Sequence, residues 1–457
     1  MEAVALDFTY RYAHPSGVVA NREGKALQLA TCGASHEQPH FFKGRIQHPR
    51  ELGSMLVSLT EVVRAHYFLQ RPALLDPVVT SNDEMLRFEG FSGCCGAYAR
   101  VDLPASAFDG KMHGRGTTNV DFNEPMRAAL TRMSDHEAFQ LSVGSDHVTL
   151  EQDGAATIEK KVKLPVRWLK GFSEVQAYQP RLELVHEMPA AEARRFVRSL
   201  GSGNAPKRPS YVVQSGRALR LTQRETLGAV RIAGVHRLRS LQSLVGRAKA
   251  MRVWADHDAG TSGWELVLES GRFFLMVSPE IYRGFSGEGQ VLETLAQEEW
   301  RRVLPQVRAQ LKWQNQIDTA VLAAETGLDS KQIRRALEVL GARGLVGFDA
   351  SAGRFFHREL PFDLTRVEKL QPRLENARKL LAEEKVRVAA SIGEEAWDLD
   401  VDGTGVVHRV RIRPDGDKCS CPWFNKHRGE RGPCKHVLAA RLLLADNLAV
   451  DASVAQA

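Results

Sequence analysis

The sequence predicts a multidomain α+β protein, and three observations support that prediction. Between residues 41 and 290, helical patterns and strand-like runs follow one another in the same order twice. Residues 318–357 have the pattern of two short helices and a hairpin. Near the C-terminus, three cysteines and a histidine stand between a predicted strand and a predicted helix. At 457 residues, the chain is long enough for about three or four domains.

Composition limits the class of protein before any motif is considered. Hydrophobic residues make up 43% of the chain, as in a globular protein. No signal-peptide pattern opens the sequence, and no apolar run is long enough to span a bilayer. Six cysteines, three of them in one metal-like cluster with a histidine, favour a reducing compartment over a disulfide scaffold. We therefore expect a soluble, cytoplasmic protein with no membrane partner.

The first predicted domain, residues 1–178, is an α+β domain. A helix should begin near Pro49, because apolar residues recur after it at helical spacing. Strand-like runs follow, and then a second helix that Asn123 can cap. A hairpin with its turn at 144–146 and a strand over 158–164 complete the domain.

The second predicted domain, residues 179–292, repeats this order and is strongly basic. From Glu192 to Arg252, fourteen basic residues face two acidic ones, a surplus of twelve positive charges, whereas the whole chain carries +7. A positive field confined to one domain indicates a polyanion partner, here DNA. A solvated basic face, or one that docks on an acidic protein, is the alternative. The candidate nucleic-acid contacts lie on a helix over 190–200 and a second helix over 238–248 or just before it: Arg194, Arg195, Arg198, Arg237, Arg239, Arg247 and Lys249.

The repeated order of elements resembles that of one domain of a DNA sliding clamp. The resemblance is topological, covers residues 41–290 and depends on no sharp motif. It implies two clamp-like N-terminal domains whose helices line a basic channel around duplex DNA. A generic pair of α+β domains would explain the same order.

The third predicted domain, residues 293–362, contains two helices and a hairpin. A short helix begins at Asp318, Gly327 ends it, and a second helix capped by Asp329 or Ser330 follows. With the hairpin that comes next, this order resembles a winged helix-turn-helix. In that family the second helix enters the major groove, although winged helices also serve as protein-docking domains. The implied nucleic-acid contacts are Lys331, Gln332, Arg334, Arg335 and, on the wing, Arg354.

The last predicted domain, residues 363–457, begins with a charged connector helix over 366–385 and ends in a metal-binding motif. Cys419 and Cys421 are one residue apart, and Cys434 and His436 follow after twelve residues with the same separation. Three thiolates and one imidazole form a closed tetrahedral set that suits a structural zinc ion and leaves no position for water. The C-x-C spacing disfavours a C-x-x-C redox pair. We therefore expect one structural Zn²⁺, with a chance cluster of buried thiols as the alternative.

This motif resembles the SWIM zinc finger, whose pattern is C-x-C, a spacer of variable length, and C-x-H. The match covers residues 397–444, and all four ligand positions are filled. The resemblance implies zinc binding together with contact to DNA or to protein partners. Bacterial members are often associated with MoxR-type ATPases and von Willebrand-type (VWA) domain proteins, which implies an adaptor in a stress or defence system. Basic residues around the motif are further candidate nucleic-acid contacts: Lys426, Arg428, Arg431 and Lys435.

Catalytic signatures are missing from the sequence. It contains no phosphate-binding loop that ends in Gly-Lys-Ser/Thr, no Gly-x-Ser-x-Gly elbow and no His-Glu-x-x-His motif. We therefore expect a non-enzymatic adaptor or regulator that binds DNA, protein partners or both, and no small-molecule substrate. A protein-only scaffold without nucleic-acid contact is the alternative.

Overall fold

The structure is a computed structural model, and it describes residues 9–10, 17–21, 24–29, 31–32, 42–68, 77–112, 114–120, 122, 124–143, 162–163, 166–201, 208–296, 300–360, 371–393 and 395–454. The helices in these ranges are α1 (Pro49–Arg64), α2 (Glu124–Arg132), α3 (Val166–Tyr178), α4 (Ala190–Ser199), α5 (Val291–Ala296), α6 (Trp300–Ala309), α7 (Thr319–Thr326), α8 (Ser330–Ala342), α9 (Pro372–Ala382), α10 (Pro422–His427) and α11 (Lys435–Val454). The strands are β1 (Thr9–Tyr10), β2 (Gly17–Asn21), β3 (Gly24–Leu29), β4 (Thr31–Cys32), β5 (Phe42–Ile46), β6 (Val78–Ser81), β7 (Met85–Phe91), β8 (Ala97–Pro104), β9 (Phe108–Met112), β10 (Gly116–Val120), β11 (Phe139–Val143), β12 (Val162–Lys163), β13 (Glu183–Pro189), β14 (Ser210–Ser215), β15 (Ala218–Thr222), β16 (Val230–Ile232), β17 (Ala250–Asp256), β18 (Thr261–Val267), β19 (Arg272–Val277), β20 (Val346–Asp349), β21 (Arg354–His357), β22 (Val386–Ser391), β23 (Trp397–Asp402), β24 (Val407–Ile412) and β25 (Lys418–Cys419).

A nine-stranded antiparallel sheet takes strands from both sides of residue 178, in the order β13–β17–β18–β19–β8–β7–β6–β10–β4. Strands β8 and β19 join the two halves through six paired residues, from Ala97 opposite Val277 to Asp102 opposite Arg272. The two regions therefore share one sheet, and their buried apolar residues form one hydrophobic core. The other sheets have the orders β2–β3–β11–β5–β9, β15–β14–β16, β22–β23–β24–β25, β20–β21 and β1–β12.

The two faces of β7 and β8 differ in chemistry. Leu86, Phe88 and Val101 are buried on the face that α1 covers, where Gly90 lies against Val63 of that helix. The alternate residues on the opposite face are buried as well, but several of them are charged. Because side chains alternate along a strand, one sheet holds an apolar core on one side and an ionic network on the other.

Strand β11 differs from the expected hairpin. It was expected to pair with the run that follows the turn at 144–146, but it pairs in parallel with β3 and antiparallel with β5. The expected turn, its second strand, Asn123 and all but Val162–Lys163 of the last expected strand lie outside the described residues.

The expected helix over 238–248 is a 3-10 segment, Val235–Leu241, followed by turns. Its buried leucines Leu238, Leu241 and Leu244 are three residues apart, which is the period of a 3-10 turn. The same spacing also fits one stripe of an α-helix, so the pattern did not distinguish the two.

No element was predicted over Val166–Tyr178, where the structure has helix α3. Trp168, Phe172 and Val175 are fully buried, so α3 packs inside the molecule. Its Ser173 hydroxyl donates a hydrogen bond to the carbonyl of Ala342 at the end of α8. Helix α3 thereby joins the sheet region to the third region.

The third region contains the expected two helices and hairpin, preceded by α6. Asp329 caps α8, and a capping box with Gln332 closes its first turn. Ile333, Leu337 and Leu340 of α8 form a small core with α6 and with Phe348 and Phe355 of the hairpin. Its interpretation as a winged helix-turn-helix stays a prediction.

The hairpin β20–β21 is fastened to the charged face of the nine-stranded sheet. Asp349, at the end of β20, accepts a hydrogen bond from Arg272 Nη2 at 2.7 Å and lies 3.2 Å from Arg100 Nη2. Arg100 also donates to the carbonyl of Phe348 at 2.7 Å, and Arg87 lies 4.0 Å above the Phe356 ring. The start of the wing turn, at Asp349, is therefore packed against the sheet, whereas Arg354, which the winged-helix resemblance places at a phosphate, is 43% exposed.

The last region is a four-stranded sheet covered by α11, on which α9 packs. Leu399, Val401 and Val410 of the sheet are buried with Leu438 of α11 in a separate core. The connector helix predicted over 366–385 is α9, Pro372–Ala382, while residues 361–370 lie outside the described ranges. None of the helices in the described ranges is long and apolar enough to cross a bilayer.

Candidate metal centre

The end of the small sheet and two helix starts position the four expected ligands. Cys419 lies on β25, where it pairs with Val410 of β24. Cys421 is the N-cap of α10, and Pro422 takes the first helical position. Lys435 begins α11, which places His436 in the first turn and Cys434 immediately before it. The spacer between the two ligand pairs therefore contains a helix, α10, that was not predicted.

The four side chains form a compact, closed cluster. Their ligand atoms all lie within 4.8 Å of one another, and Cys419 Sγ is 3.7 Å from His436 Nδ1. Ligands at zinc–sulfur and zinc–nitrogen bond lengths of about 2.3 and 2.0 Å lie roughly 3.5–3.8 Å apart at the corners of a tetrahedron. All four residues are buried, none of them more than 5% exposed. The geometry therefore fits one tetrahedral zinc ion.

Backbone amides surround the sulfur atoms. The amide of Cys421 donates to Cys419 Sγ at 3.4 Å, that of Phe424 to Cys421 Sγ at 3.3 Å, and that of Val437 to Cys434 Sγ at 3.5 Å. Such N–H···S hydrogen bonds stabilise sulfur as thiolate, the form that binds metal. The local folds of β25, α10 and α11 therefore prepare three anionic ligands.

The three cysteines of the cluster differ in the direction in which their pKa values are shifted. Hydrogen bonds from Cys419 and Cys434 lower the pKa of Cys421, whereas the bond with Cys421 raises the pKa of Cys419. The pKa of Cys434 is raised to about 11, because the hydrogen bond with Cys419 lowers it less than the bond with Cys421 and burial raise it. Cys419 and Cys434 therefore hold their protons more tightly than Cys421 does. A zinc ion held by these residues would supply the positive charge that lets all three ionise.

His408 lies against the ligand set, and the prediction of the site did not include it. Its ring centroid is 4.4 Å from that of His436. Burial, followed by the neighbouring His436, lowers the pKa of His408, which favours a neutral ring beside the ligand. The strand pattern contained a signal for this position, because His408 is in phase with the inward residues Val410 and Ile412.

The spacer fastens the metal centre to the rest of the molecule. Arg431 Nη2 donates to the carbonyl of Gly287 at 2.8 Å. Arg373 of α9 donates to the carbonyls of Arg431 and Glu288, at 2.6 and 2.8 Å. Gly432 has a φ of +70°, and a Cβ there would overlap the carbonyl oxygen of Gly289. The finger is therefore packed on the segment that precedes α5.

The expected nucleic-acid contacts of the second region differ in how exposed they are in the structure. Arg194, Arg195 and Arg198 are exposed on α4. Arg239 and Arg247 are half-buried, and Arg239 donates to the carbonyl of Gly201 at 3.0 Å. Lys249 is exposed and forms an ion pair with Glu269.

The prediction for Arg237 is wrong. This side chain is fully buried, and its guanidinium donates to the carbonyls of Gly96 and Glu280 at 3.0 and 2.8 Å. Its Nη1 also donates to Ser278 Oγ at 2.8 Å. Arg237 therefore satisfies backbone carbonyls in the interior and has no surface from which to contact a phosphate.

The expected contacts of the third and last regions are mostly accessible. Lys331, Gln332 and Arg334 are exposed on α8, although the Gln332 side chain serves the capping box. Arg335 is half-buried. Arg354 is 43% exposed and forms an ion pair with Asp318 at 2.7 Å. Around the metal centre, Lys426, Arg428 and Lys435 are exposed, whereas Arg431 is half-buried at the contact with Gly287.

Comparison with known proteins assigns the class of the metal centre. Residues 408–442 match the SWIM zinc finger family, and this range contains all four ligands. The chain thus carries a SWIM zinc finger that holds one structural zinc ion through Cys419, Cys421, Cys434 and His436, as the sequence predicted. The sequence matches no curated protein.

Similarity to solved structures extends over a larger part of the chain. One of these structures is the crystal structure of Proliferating Cellular Nuclear Antigen from Entamoeba histolytica, which has 7% sequence identity and a TM-score of 0.33. The similarity covers 53% of this chain and 99% of that one. A TM-score this low does not establish a common fold, so the clamp-like interpretation stays a prediction.

Proposed function

We propose that the protein is a cytoplasmic, non-enzymatic adaptor that binds DNA through its basic second region and its SWIM zinc finger. The zinc ion has a structural role in this proposal, because its four protein ligands leave no position for a substrate or water. The exposed positive charge of the second region is the observation that carries the proposal.

That charge lies mainly on the surface. The structure describes thirteen of the fourteen basic residues between Glu192 and Arg252, all but Lys207; eight of these thirteen are exposed, four are half-buried and Arg237 is buried. Of the two acidic residues, Glu192 pairs with Arg195 at 3.0 Å, and Glu225 accepts a hydrogen bond from Tyr211. A polyanion such as DNA would replace the missing counter-charge. The exposed residues are Arg194, Arg195, Arg198, Arg208, Arg217, Arg220, Arg224 and Lys249.

A protein-only scaffold is the second candidate, and the docked hairpin favours it. Asp349 at the start of the wing turn contacts the sheet, so the third region would meet a partner mainly through α8. On α8, the half-buried Glu338 lies among Arg334 and Arg335, which gives this helix a mixed charge. Such a face suits a protein partner, and the SWIM resemblance suggests MoxR-type ATPases and VWA-domain proteins as the class to test.

Salt dependence of DNA binding tests the proposal. We expect the affinity for a fluorescein-labelled DNA duplex, measured by anisotropy, to fall log-linearly as salt rises, because bound phosphates release counterions. The variant Arg194→Glu/Arg195→Glu/Arg198→Glu should bind more weakly to every sequence and with a smaller salt slope. Lys312→Glu/Lys379→Glu/Lys385→Glu is the matched control, because these exposed lysines of the third and last regions change the net charge equally.

Two results would reject DNA binding in favour of the scaffold. One is the absence of wild-type binding even at low salt. The other is an affinity that does not change with salt, since a phosphate contact cannot be independent of counterions. Equal weakening by both triple variants would show that net charge alone, and not the α4 surface, determines the affinity.

A further inference from the structure

A rigid turn at Glu280–Arg283 presents an aromatic ring to solvent. Glu280 and Arg283 face each other in an isolated antiparallel bridge, and Ser278 Oγ donates to the carbonyl of Arg283 at 2.7 Å. The buried Arg237 donates to the carbonyl of Glu280 from beneath. Tyr282, at the tip of this turn, is 61% exposed. Hydrogen bonds therefore fix the backbone of this turn, and the large aromatic side chain that it carries does not pack in the core.

The zinc finger lies beside this turn at a fixed position. Arg283 Nε donates to Glu288 at 2.5 Å, and the carbonyl of Glu288 accepts from Arg373 at 2.8 Å. The Arg373 guanidinium lies 4.7 Å above the ring of Trp423 in α10. A short series of contacts thus runs from the Tyr282 turn to α10, which carries the exposed Lys426. We call the surface formed by the Tyr282 turn and α10 the junction surface.

Positive charge is concentrated around the junction surface. Partial burial lowers the pKa of His427, as do the charges of Arg431, Lys426, Arg283 and Arg373. Lys170 of α3 belongs to the same group, because burial and then Arg373 lower its pKa. These mutual effects show cations that repel one another.

Carboxylates neutralise this charge only in part. Glu288 is bound to Arg283, and Glu430 is exposed in the spacer. Burial and the neighbouring Glu288 raise the pKa of Glu174 to about 8, so this carboxyl is mostly protonated at neutral pH. The junction surface therefore has a surplus of positive charge beside an exposed aromatic ring.

We propose that the junction surface binds a single-stranded segment of nucleic acid, with a base stacked on Tyr282 and phosphates near Lys426 and Arg283. Stacking on an exposed ring requires an unpaired base, whereas the bases of a duplex are stacked on each other. An acidic peptide would match the charge but would gain little from the ring. This inference depends on the proposed function. It adds to the proposed duplex contact a second contact that is selective for single strands.

Anisotropy with a labelled oligothymidylate of about 15 nucleotides tests the inference, since one binding module covers about 4–16 nucleotides. We expect Tyr282→Ala to weaken binding roughly five- to hundredfold and Tyr282→Phe to retain it, because the phenyl ring still stacks. Lys426→Ala should reduce the salt slope by about 0.7, the value for one phosphate contact in a single strand. Leu227→Ala and Lys312→Ala are controls, because both side chains are exposed elsewhere on the surface.

The results separate this inference from the proposal on which it depends. Unchanged oligothymidylate binding by Tyr282→Ala and Lys426→Ala, with duplex binding still weakened by the α4 triple variant, would overturn the inference alone. No wild-type binding of either nucleic acid at low salt would reject both. Displacement of the oligonucleotide by polyglutamate at equal charge would identify a general anion surface and also overturn the inference. Zinc content and unfolding should be unchanged in both variants, which confirms that they are folded.

Discussion

Replacing Asp349 by asparagine should remove the central negative charge of the buried ionic network. Asp349 lies 2.7, 3.2 and 3.6 Å from the guanidinium nitrogens of Arg272, Arg100 and Arg87. The side chains of Asp349, Arg87 and Arg100 are at most 3% exposed. Removing one partner from a buried ion pair costs about 3–5 kcal/mol. The loss should lie at the lower end of this range, because Asp102 still pairs with all three arginines, at 2.8 Å from Arg100, 3.2 Å from Arg87 and 3.3 Å from Arg272. We expect Asp349→Asn to lower the free energy of unfolding in urea by an amount in this range.

Asp318→Asn is the matched control in the same region. Asp318 pairs with Arg354 at 2.7 Å, and both side chains are 43% exposed, so losing this pair should cost much less stability than losing the buried one. Asparagine can still cap α7, since its side-chain oxygen accepts from the amide of Ala320 as Asp318 does at 2.8 Å. An equal loss of stability in the two variants would show that the ionic network does not hold the hairpin on the sheet.

The effect of Asp349 should also depend on pH. Burial acts to raise the pKa of Asp349, but the charges of Arg100, Arg272 and Arg87 outweigh it and hold this pKa well below the ordinary value. A depressed folded-state pKa stabilises the protein above the unfolded-state value of about 3.9, and that stability is lost as pH falls. The difference between wild type and Asp349→Asn should therefore be constant near neutral pH and shrink below about pH 4.

Three further predictions concern the metal centre and the buried carboxyl of α3. Elemental analysis should find one zinc ion per chain, and Cys434→Ser should lower zinc content and raise the sensitivity of the finger to proteolysis, because folding and metal binding are coupled. Adding zinc to metal-free protein at neutral pH should release protons into a weakly buffered indicator, since the raised pKa values of Cys419 and Cys434 favour thiols that zinc would ionise; release of none would contradict these raised pKa values. Glu174→Gln should stabilise the protein at pH 9 but not at pH 4, measured as the change in Tm. The reason is that a carboxyl whose pKa is raised to about 8 loses its contribution to stability as pH rises through that value.

Local patterns in the sequence predicted many elements because one face of each is buried. The apolar stripe of α1, the alternation in β24 and the cap at Asp329 each depend on residues a few positions apart. The zinc ligands could be predicted for the same reason, because they form two pairs and the members of each pair are close in sequence. Helix α3 was missed although Trp168, Phe172 and Val175 have helical spacing, because it is buried and carries polar residues such as Glu174 between the apolar ones.

The long-range arrangement could not be predicted from these patterns. Arg100 donates to a carbonyl 248 residues away, and nothing near Arg100 indicates that partner. Arg237 shows the same limit, because an arginine in a basic segment suggests a surface position, yet buried carbonyls satisfy this one. Charge composition therefore predicted the sign of the net charge of the second region, but it did not predict which of its residues are exposed to solvent.

The continuous ladder between β8 and β19 has a mechanical consequence. Nine strands contain eight spacings of about 4.8 Å, so the sheet spans roughly 38 Å between β13 and β4. A hinge between the two halves would have to break main-chain hydrogen bonds along six residue pairs. The two halves should therefore move as one rigid body. A partner bound near β13 would then stay at a constant distance from the β4 edge of the sheet.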